Sequence, residues 1–374
     1  MTSQLFSPLK INDIKLANRI VIAPMCQYSA KEGVPTDWHL MHLGQFSVSG
    51  AGMVFTEATA VEAAGRISPG CTALENDEQE EAFTRIVKFF DNFGSAQPGI
   101  QLAHAGRKAS TDVPWNGSKP LSPDQGSWAT VSSSALPFAD GWHTPAEMTR
   151  EDMERIRDAF VASTKRADRI GFKIVELHSA HGYLVSQFLS PIANHRTDQY
   201  GGSLKNRMRY PLEVFDAIRA VWPEKKALGV RLSVTDYQEP GITLEESVEV
   251  SKVLKEHGCD FIDCSSGGNV ATRPPVGNTG PGYQVPFAEA IRKGSGVRTM
   301  AVGMIRDPHL AEEIVASGQA DLVALARGAL YDPHWPMHAA DVLGAETAYP
   351  PQYARSHPNL WPKAFPEFQK TAAE

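Results

Sequence analysis

Two imidazoles and a phenol stand close together in one stretch of the chain, Val175-Glu-Leu-His178-Ser-Ala-His181-Gly-Tyr183. Rings of these types at this spacing suit three tasks. A His-x-x-His pair can ligate a metal ion, imidazole being the commonest protein ligand. It can instead aim two N–H donors at one substrate oxygen, or be satisfied by local hydrogen bonds with no further role.

The surrounding elements decide where such a pair would sit. Gly171 closes a long amphipathic pattern that starts at a capping box, Thr149-Arg-Glu-Asp152. Phe172 to Leu177 then read as a short buried strand ending at the first histidine. The same alternation recurs: apolar runs at 18–25, 53–59, 99–104, 227–234, 260–265, 298–303 and 322–326 read as further strands, with helical patterns between most of them. Four helix-to-strand joints carry a glycine, Gly50, Gly171, Gly258 and Gly318. Eight parallel strands separated by helices close most simply into an α/β (β/α)8 TIM barrel, whose strand exits carry the chemistry. A doubly wound open sheet would want Gly-x-Gly-x-x-Gly after the first strand, where Ala-Pro-Met-Cys-Gln-Tyr stands instead.

The remaining stretches fit one domain over 1–374. Leu5 to Leu16 suggests an N-terminal hairpin turning at Asn12-Asp13 and plugging the bottom of the core. Pro211 is expected to disturb the helix from Ser203 to Trp222. Residues 105–148 show no sustained period and hold Trp115, Trp128 and Trp142, which suggests a lid-like loop insertion after strand three. Residues 345–374 form a C-terminal tail.

Composition narrows the function. With 42% hydrophobic residues the chain is ordinarily globular, and 36 basic against 43 acidic residues give a net charge of -7 without a Lys/Arg cluster. Nucleic acid and membrane surfaces are therefore not expected partners. Cys26, Cys71, Cys259 and Cys264 are scattered, without ligand spacing for zinc or an iron–sulfur cluster, and fit a reducing cytoplasmic setting. The first residues lack a basic start followed by an apolar run, and no apolar run is long enough to span a bilayer, so a soluble, unexported protein is expected.

In a barrel the strand exits face one mouth. They would supply Cys26 and Tyr28, Thr59 and Ala60, Gln101, the His178, His181 and Tyr183 rings, Arg231, Gly303 and Arg327. Carboxylates are nearly missing, since Glu57 and Glu176 lie deeper, which disfavours a zinc hydrolase and a two-carboxylate glycosidase. Two arginines, a glutamine and a thiol suit a flat anionic heteroaromatic cofactor carrying a phosphate, and FMN meets these demands. Singly each residue has a structural explanation: Arg231 could pair with a floor Glu, Gln101 could satisfy backbone, and Cys26 could be a small buried hydrophobe.

Five ordered motifs carry a resemblance: Ala-Pro-Met-Cys-Gln-Tyr (23–28), Gly-Arg-Ile-Ser-Pro-Gly (65–70), Gln-Leu-Ala-His-Ala-Gly-Arg-Lys (101–108), His-Ser-Ala-His-Gly-Tyr-Leu (178–184) and Arg-Thr-Asp-Gln-Tyr-Gly-Gly-Ser…Asn-Arg (196–207). Over residues 5 to 355 the chain resembles the old yellow enzyme family. Cys26 and Tyr28 make it similar to the thermophilic-like subgroup that includes xenobiotic reductases.

The resemblance implies an FMN-dependent ene-reductase that consumes NADPH or NADH and acts on activated alkenes. By carry-over Ala23, Pro24, Met25, Cys26, Ala60 and Gln101 would contact the flavin ring, and Arg231 its N1/O2 edge. Gly303, Ala326 and Arg327 would hold the phosphate end. His178 and His181 would bind the substrate oxygen beside Tyr28, and Tyr183 would donate the proton. The family also implies a dimer or tetramer, with Arg355 reaching a neighbouring site. Two positions depart from the pattern. Ala326 stands where many relatives have glycine, and Tyr353-Ala-Arg355 matches the subgroup's ending only in part. The alternatives are a 2,4-dienoyl-CoA-reductase-like flavoenzyme, a metal-dependent barrel hydrolase using His178 and His181, and a flavin-binding protein without turnover.

Overall fold

A computed structural model describes residues 2–271 and 279–364. Eight parallel strands close into a barrel: β1 (Ile20–Ile22), β2 (Met53–Ala60), β3 (Gln97–Ala103), β4 (Ile174–Ser179), β5 (Ala227–Ser233), β6 (Phe261–Ser265), β7 (Arg298–Ala301) and β8 (Leu322–Leu325). Each pairs with its neighbours in sequence, and β8 returns to pair with β1. The expected TIM barrel is thus the observed fold.

Caps and glycines set the helix boundaries. Asn76, Thr149 and Thr243 each accept a backbone N–H three residues on, opening the helices Asp77–Phe93, Arg150–Ile170 and Leu244–Glu256. Such a cap contributes about 1 kcal/mol. Gly50, Gly171, Gly258 and Gly318 all take positive φ, between 75° and 105°, as a chain reversing from helix to strand requires.

Two boundaries differ from the sequence expectation. β4 begins two residues late, because Phe172 N–H still donates to Ala167 O in the helix closure, so His178 and Ser179 belong to the strand. Pro211 does not break its helix, which runs unbroken over Leu204–Val221 with the proline on the buried face beside Tyr210 and Val214. The 105–148 excursion holds three short 3-10 turns and a parallel pair, Val131–Ser132 with Ala146–Glu147. The glycine-rich loop that follows β6, 265–286, is described except for 272–278, and the tail only to 364.

Strand parity divides the core. Outward residues such as Val175, Leu177, Val230 and Ile262 pack under the helices. Inward residues form graded layers. The lowest is apolar, with Ile174, Ala227, Phe261 and Met53 sealed from below by Ile11 and Leu16 of the hairpin Leu9–Ile11/Ile14–Leu16. Asn12 fixes that hairpin by donating to Asp260 Oδ2 at 2.9 Å. Further along three of the strands the lining turns polar: Glu176 and His178 on β4, Arg231 and Ser233 on β5, Asp263 and Ser265 on β6.

Gly229 is what lets the two kinds of layer meet. It lies in register with Glu176 and Phe261, and a Cβ there would sit 2.2 Å from the Phe261 ring. Gly229→Ala should therefore destabilise the fold by about 1–3 kcal/mol through overpacking, read as a lower denaturation midpoint. An unchanged midpoint would show that the Phe261 ring moves aside freely.

Candidate active site

The floor of the mouth is a buried charge layer. Arg231 stands in register with His178 on one side and Asp263 on the other. Its Nε lies 2.9 Å from Asp263 Oδ2, an ion-pair distance at an angle that makes no hydrogen bond. One layer down, Glu176 Oε1 accepts from Gln101 Nε2 at 2.7 Å and Oε2 has no partner. Burial, with Asp263 nearby, pushes the Glu176 carboxyl up to about 8, and burial raises Asp263 as well. Glu176 therefore favours its protonated form at neutral pH, and Asp263 is the acidic group that faces the guanidinium.

Asp263 corrects the sequence reading, which placed almost no carboxylate at the mouth. Its apolar run, Phe261-Ile-Asp-Cys-Ser, gives no alternation from which to choose the inward face. Arg231 does have a structural partner, but an aspartate rather than the glutamate considered.

Above the floor the three rings of the opening stretch meet. The His178 ring lies 5.1 Å from His181 and 5.1 Å from Tyr183, edge to face in both cases. His178 Nδ1 accepts from Ala180 N–H at 3.3 Å, so a neutral ring carries its proton on Nε2. His181 is held twice, its N–H donating to Ser233 Oγ at 2.8 Å and its Nε2 2.7 Å from Ser265 Oγ. Its φ of +59° is left-handed, a conformation costing about 1–2 kcal/mol outside glycine. Burial, then the Arg231 charge, depresses both histidines well below the usual imidazole range, so both are uncharged donors. Burial likewise raises the Tyr183 phenol, which stays protonated.

The β1 exit forms another wall. Ala23 N–H continues the ladder to Leu325 O, and Pro24, Met25 and Cys26 follow, all half-buried. The Cys26 thiol is engaged by Cys71 and, with burial added, is raised well above its usual range. Behind it Glu57 binds His39 Nε2 at 2.9 Å and accepts from Gln27 N–H at 3.3 Å. Tyr28 takes a left-handed φ of +52° and packs edge-on against Trp115 of the excursion, 5.8 Å away. Ala60 is buried at the end of β2, where its N–H donates to Thr72 O.

The exits of β7 and β8 open on a cavity of about 540 Å³, lined by Arg231, Ser265, Tyr283, Gly303, Ala326 and Arg327 among others. Gly303 has φ +135°, and Ala326 precedes the short helix Arg327–Tyr331. Among the described residues Arg327 has no ion-pair partner, which leaves an exposed cation at the cavity. A cavity of this size, with Arg231 at its floor and an unpaired arginine at its rim, fits the ring and phosphate of FMN.

The sequence-derived residues thus gather around one mouth, except Arg355, which lies exposed in the tail turn Pro351–Ser356. Sequence reasoning missed Asp263, Cys71, Ser233 and Ser265. Ser233 was reachable, being two residues beyond Arg231 on the same strand face.

Residues 4–346 match the NADH:flavin oxidoreductase / NADH oxidase family. An NADPH dehydrogenase of Geobacillus sp. (strain WCH70) is 42% identical over 357 residues, 95% of this chain and 99% of the relative. That of Listeria innocua is 42% identical over 356 residues, with the same coverage. Among solved structures, morphinone reductase superposes with a TM-score of 0.75 at 26% identity, covering 93% of this chain and 91% of its own. It has also been solved in complex with tetrahydroNAD, where the TM-score is 0.75 at 25% identity and the coverage 92% of both chains. With its barrel, its paired imidazoles and its arginine-lined cavity, the chain belongs to the NADH:flavin oxidoreductase family of old yellow enzymes, oxidoreductases that hold FMN and draw electrons from a nicotinamide.

Proposed function

We propose that the chain is an ene-reductase that reduces the activated C=C bonds of enones, enals, maleimides and nitro compounds, with NADPH and alkene taking turns at one site. The observation that carries this reading is the neutral pair His178 and His181, 5.1 Å apart with Tyr183 against it. FMN, when bound, would supply the hydride. The chain's own residues supply everything around that transfer. His178 Nε2–H is free to donate to a carbonyl or nitro oxygen. If Ser265 donates to His181 Nε2, the second imidazole offers Nδ1–H. Donors aimed at developing negative charge are each worth on the order of 10²–10³ in rate. Tyr183, protonated and beside His178, is placed to give the α-carbon its proton, with Tyr28 flanking the substrate.

Arg231 would set its charge against the electron-rich edge of the flavin, and Ala23, Pro24, Met25, Cys26, Ala60 and Gln101 would line its ring. Gly303, Ala326 and Arg327 would receive its phosphate. The excursion 105–148 would close over the mouth as a lid, Trp115 meeting Tyr28 being its point of contact. The relatives' names favour NADPH over NADH. The exposed Arg355 suits a homo-oligomer in which it reaches a neighbouring site, and four free thiols suit the cytoplasm. His178 and His181 carry the ene-reductase reading rather than the hydrolase one because His181 Nε2 is already engaged by Ser265 Oγ at 2.7 Å. The scattered thiols likewise give no cluster ligand set for a 2,4-dienoyl-CoA-reductase-like enzyme.

Three measurements test the proposal. The purified protein should be yellow, release FMN rather than FAD on denaturation, and bleach with NADPH under anaerobic conditions; release of FAD would contradict the cavity assignment. His178→Ala and His181→Ala should each lower enone kcat/KM about 10²–10³-fold and weaken phenol binding while FMN stays bound. Unchanged phenol affinity in both variants would return the pair to a structural role.

Tyr183→Phe should leave flavin reduction by NADPH intact and slow the half-reaction with enones by about 10²–10⁴-fold, the span of a lost general acid. Nitroalkenes, whose nitronate product survives without immediate protonation, should suffer less. Stopped-flow traces of the two half-reactions decide the matter, and an enone rate equal to the parent's would assign the proton to Tyr28 or solvent.

A further inference from the structure

Two cations of the mouth have no part in that chemistry. Arg107 and Lys108 end the turn Gly106–Lys108 just beyond β3, and Arg107 is buried. Arg107 Nη2 donates to Asn269 O at 2.7 Å, and its Nη1 reaches Leu136 O and Pro137 O at 3.5 and 3.4 Å. Lys108 Nζ donates to His181 O at 2.7 Å and to Gly268 O at 3.1 Å. Its ammonium lies 4.6 Å from the Phe138 ring and 4.9 Å from the Tyr183 ring. Among the described residues no carboxylate lies within ion-pair distance of it. A half-buried lysine whose charge is met only by carbonyl oxygens and aromatic faces is costly, and desolvation with Arg107 nearby brings it down to about 7.

The two carbonyls it holds belong to loops that touch through bare backbone. A Cβ on Gly182 would fall 2.0 Å from Gly268 O, and one on Gly268 would fall 2.3 Å from the His181 carbonyl carbon. No side chain of either loop fits between them, so a tie must come from a third element. His181 needs such a tie, because its φ of +59° is unfavourable and its ring points where Ser265 meets it. Ser233 fixes its N–H and Ser265 its ring, which leaves the carbonyl to Lys108.

The geometry points to Lys108 as the positioning residue of His181: it ties the His181 carbonyl to the Gly268 loop and thereby fixes the direction of the imidazole donor. The inference rests on the substrate-oxygen role proposed for His181. A direct contact between Lys108 and the substrate is the competing reading, and it differs in one respect. A positioning lysine matters only while His181 is present.

The test is a double-mutant cycle on the FMN-loaded enzyme, with p-hydroxybenzaldehyde as the phenolic probe. Lys108→Met should weaken its binding about tenfold, the coupling expected of contacting groups, at unchanged FMN content. In the His181→Ala background the same change should cost less than about twofold, and Lys108→Arg, which can still donate to both carbonyls, should recover most of the loss. Equal losses in both backgrounds, or none in the parent, would overturn the proposal. If Lys108→Met does not fold, Lys108→Gln replaces it in the cycle. If the parent binds no phenol at all, the His181 role fails first. The tie is then read alone from the ring resonances of histidine-labelled protein, which Lys108→Gln should shift at His181; an unmoved resonance would overturn it.

Discussion

The structure of the mouth depends on one buried guanidinium. Arg231 sits in register between His178 of β4 and Asp263 of β6, inside a barrel whose lower layers are hydrocarbon. An arginine cannot shed its proton, so the charge must be met where it stands. Asp263 meets it, and Glu176 then keeps its own proton because a second carboxylate would be unpaired. The sign of that arrangement is definite. Glu176 is raised from 4.5 to about 8 in the folded chain, so folding retains a proton that the unfolded chain releases. The stabilising share of this group is full at acid pH and fades as pH rises through that window. The partnerless oxygens of Glu176 and Asp263 mark a layer built with polar capacity to spare.

Above that layer the exits are held by strained backbone rather than by regular structure. Tyr28, His181 and Met304 follow β1, β4 and β7, and each takes a left-handed φ between 52° and 59°. Left-handed residues other than glycine persist only where neighbours over-determine them. At Tyr28 the neighbour is the 65–71 loop: Ala30 N–H donates to Gly70 O, and a Cβ on Gly70 would fall 2.5 Å from Tyr28 O. At His181 it is the loop after β6. Side chains aimed from such positions are placed by the meeting of two loops, not by one strand.

This explains what could be read from the chain and what could not. The barrel was legible because eight apolar runs, four joint glycines and the Thr149 capping box are all local signals, and each survives in the structure within about two residues. β4 slipped because Phe172 looks like strand in sequence yet closes the preceding helix. Pro211 misled because its cost is local while its compensation, burial against the core, is not. At the site, residue types gave the histidines, Tyr183, Arg231 and Arg327. Partners were beyond reach: Cys71 for Cys26, Asp263 for Arg231 and Lys108 for the His181 carbonyl each join segments 32 or more residues apart, and no periodicity encodes that.

The charge distribution adds a last constraint. The chain is acidic overall, at -7, yet its mouth gathers Arg107, Lys108, Arg231 and Arg327, and among the described residues Asp263 is the one carboxylate paired to any of them. Low-dielectric walls focus such a field outward through the opening, drawing in anions against a repelling exterior. Burial keeps His178 and His181 uncharged, and the same field adds to it, since Arg231 and then Lys108 oppose their protonation. A neutral N–H donor interacts weakly with an uncharged substrate oxygen and more strongly as negative charge develops on it. Neutral donors beside fixed cations reserve their gain for the moment when the oxygen becomes negative, which is where a rate enhancement must come from.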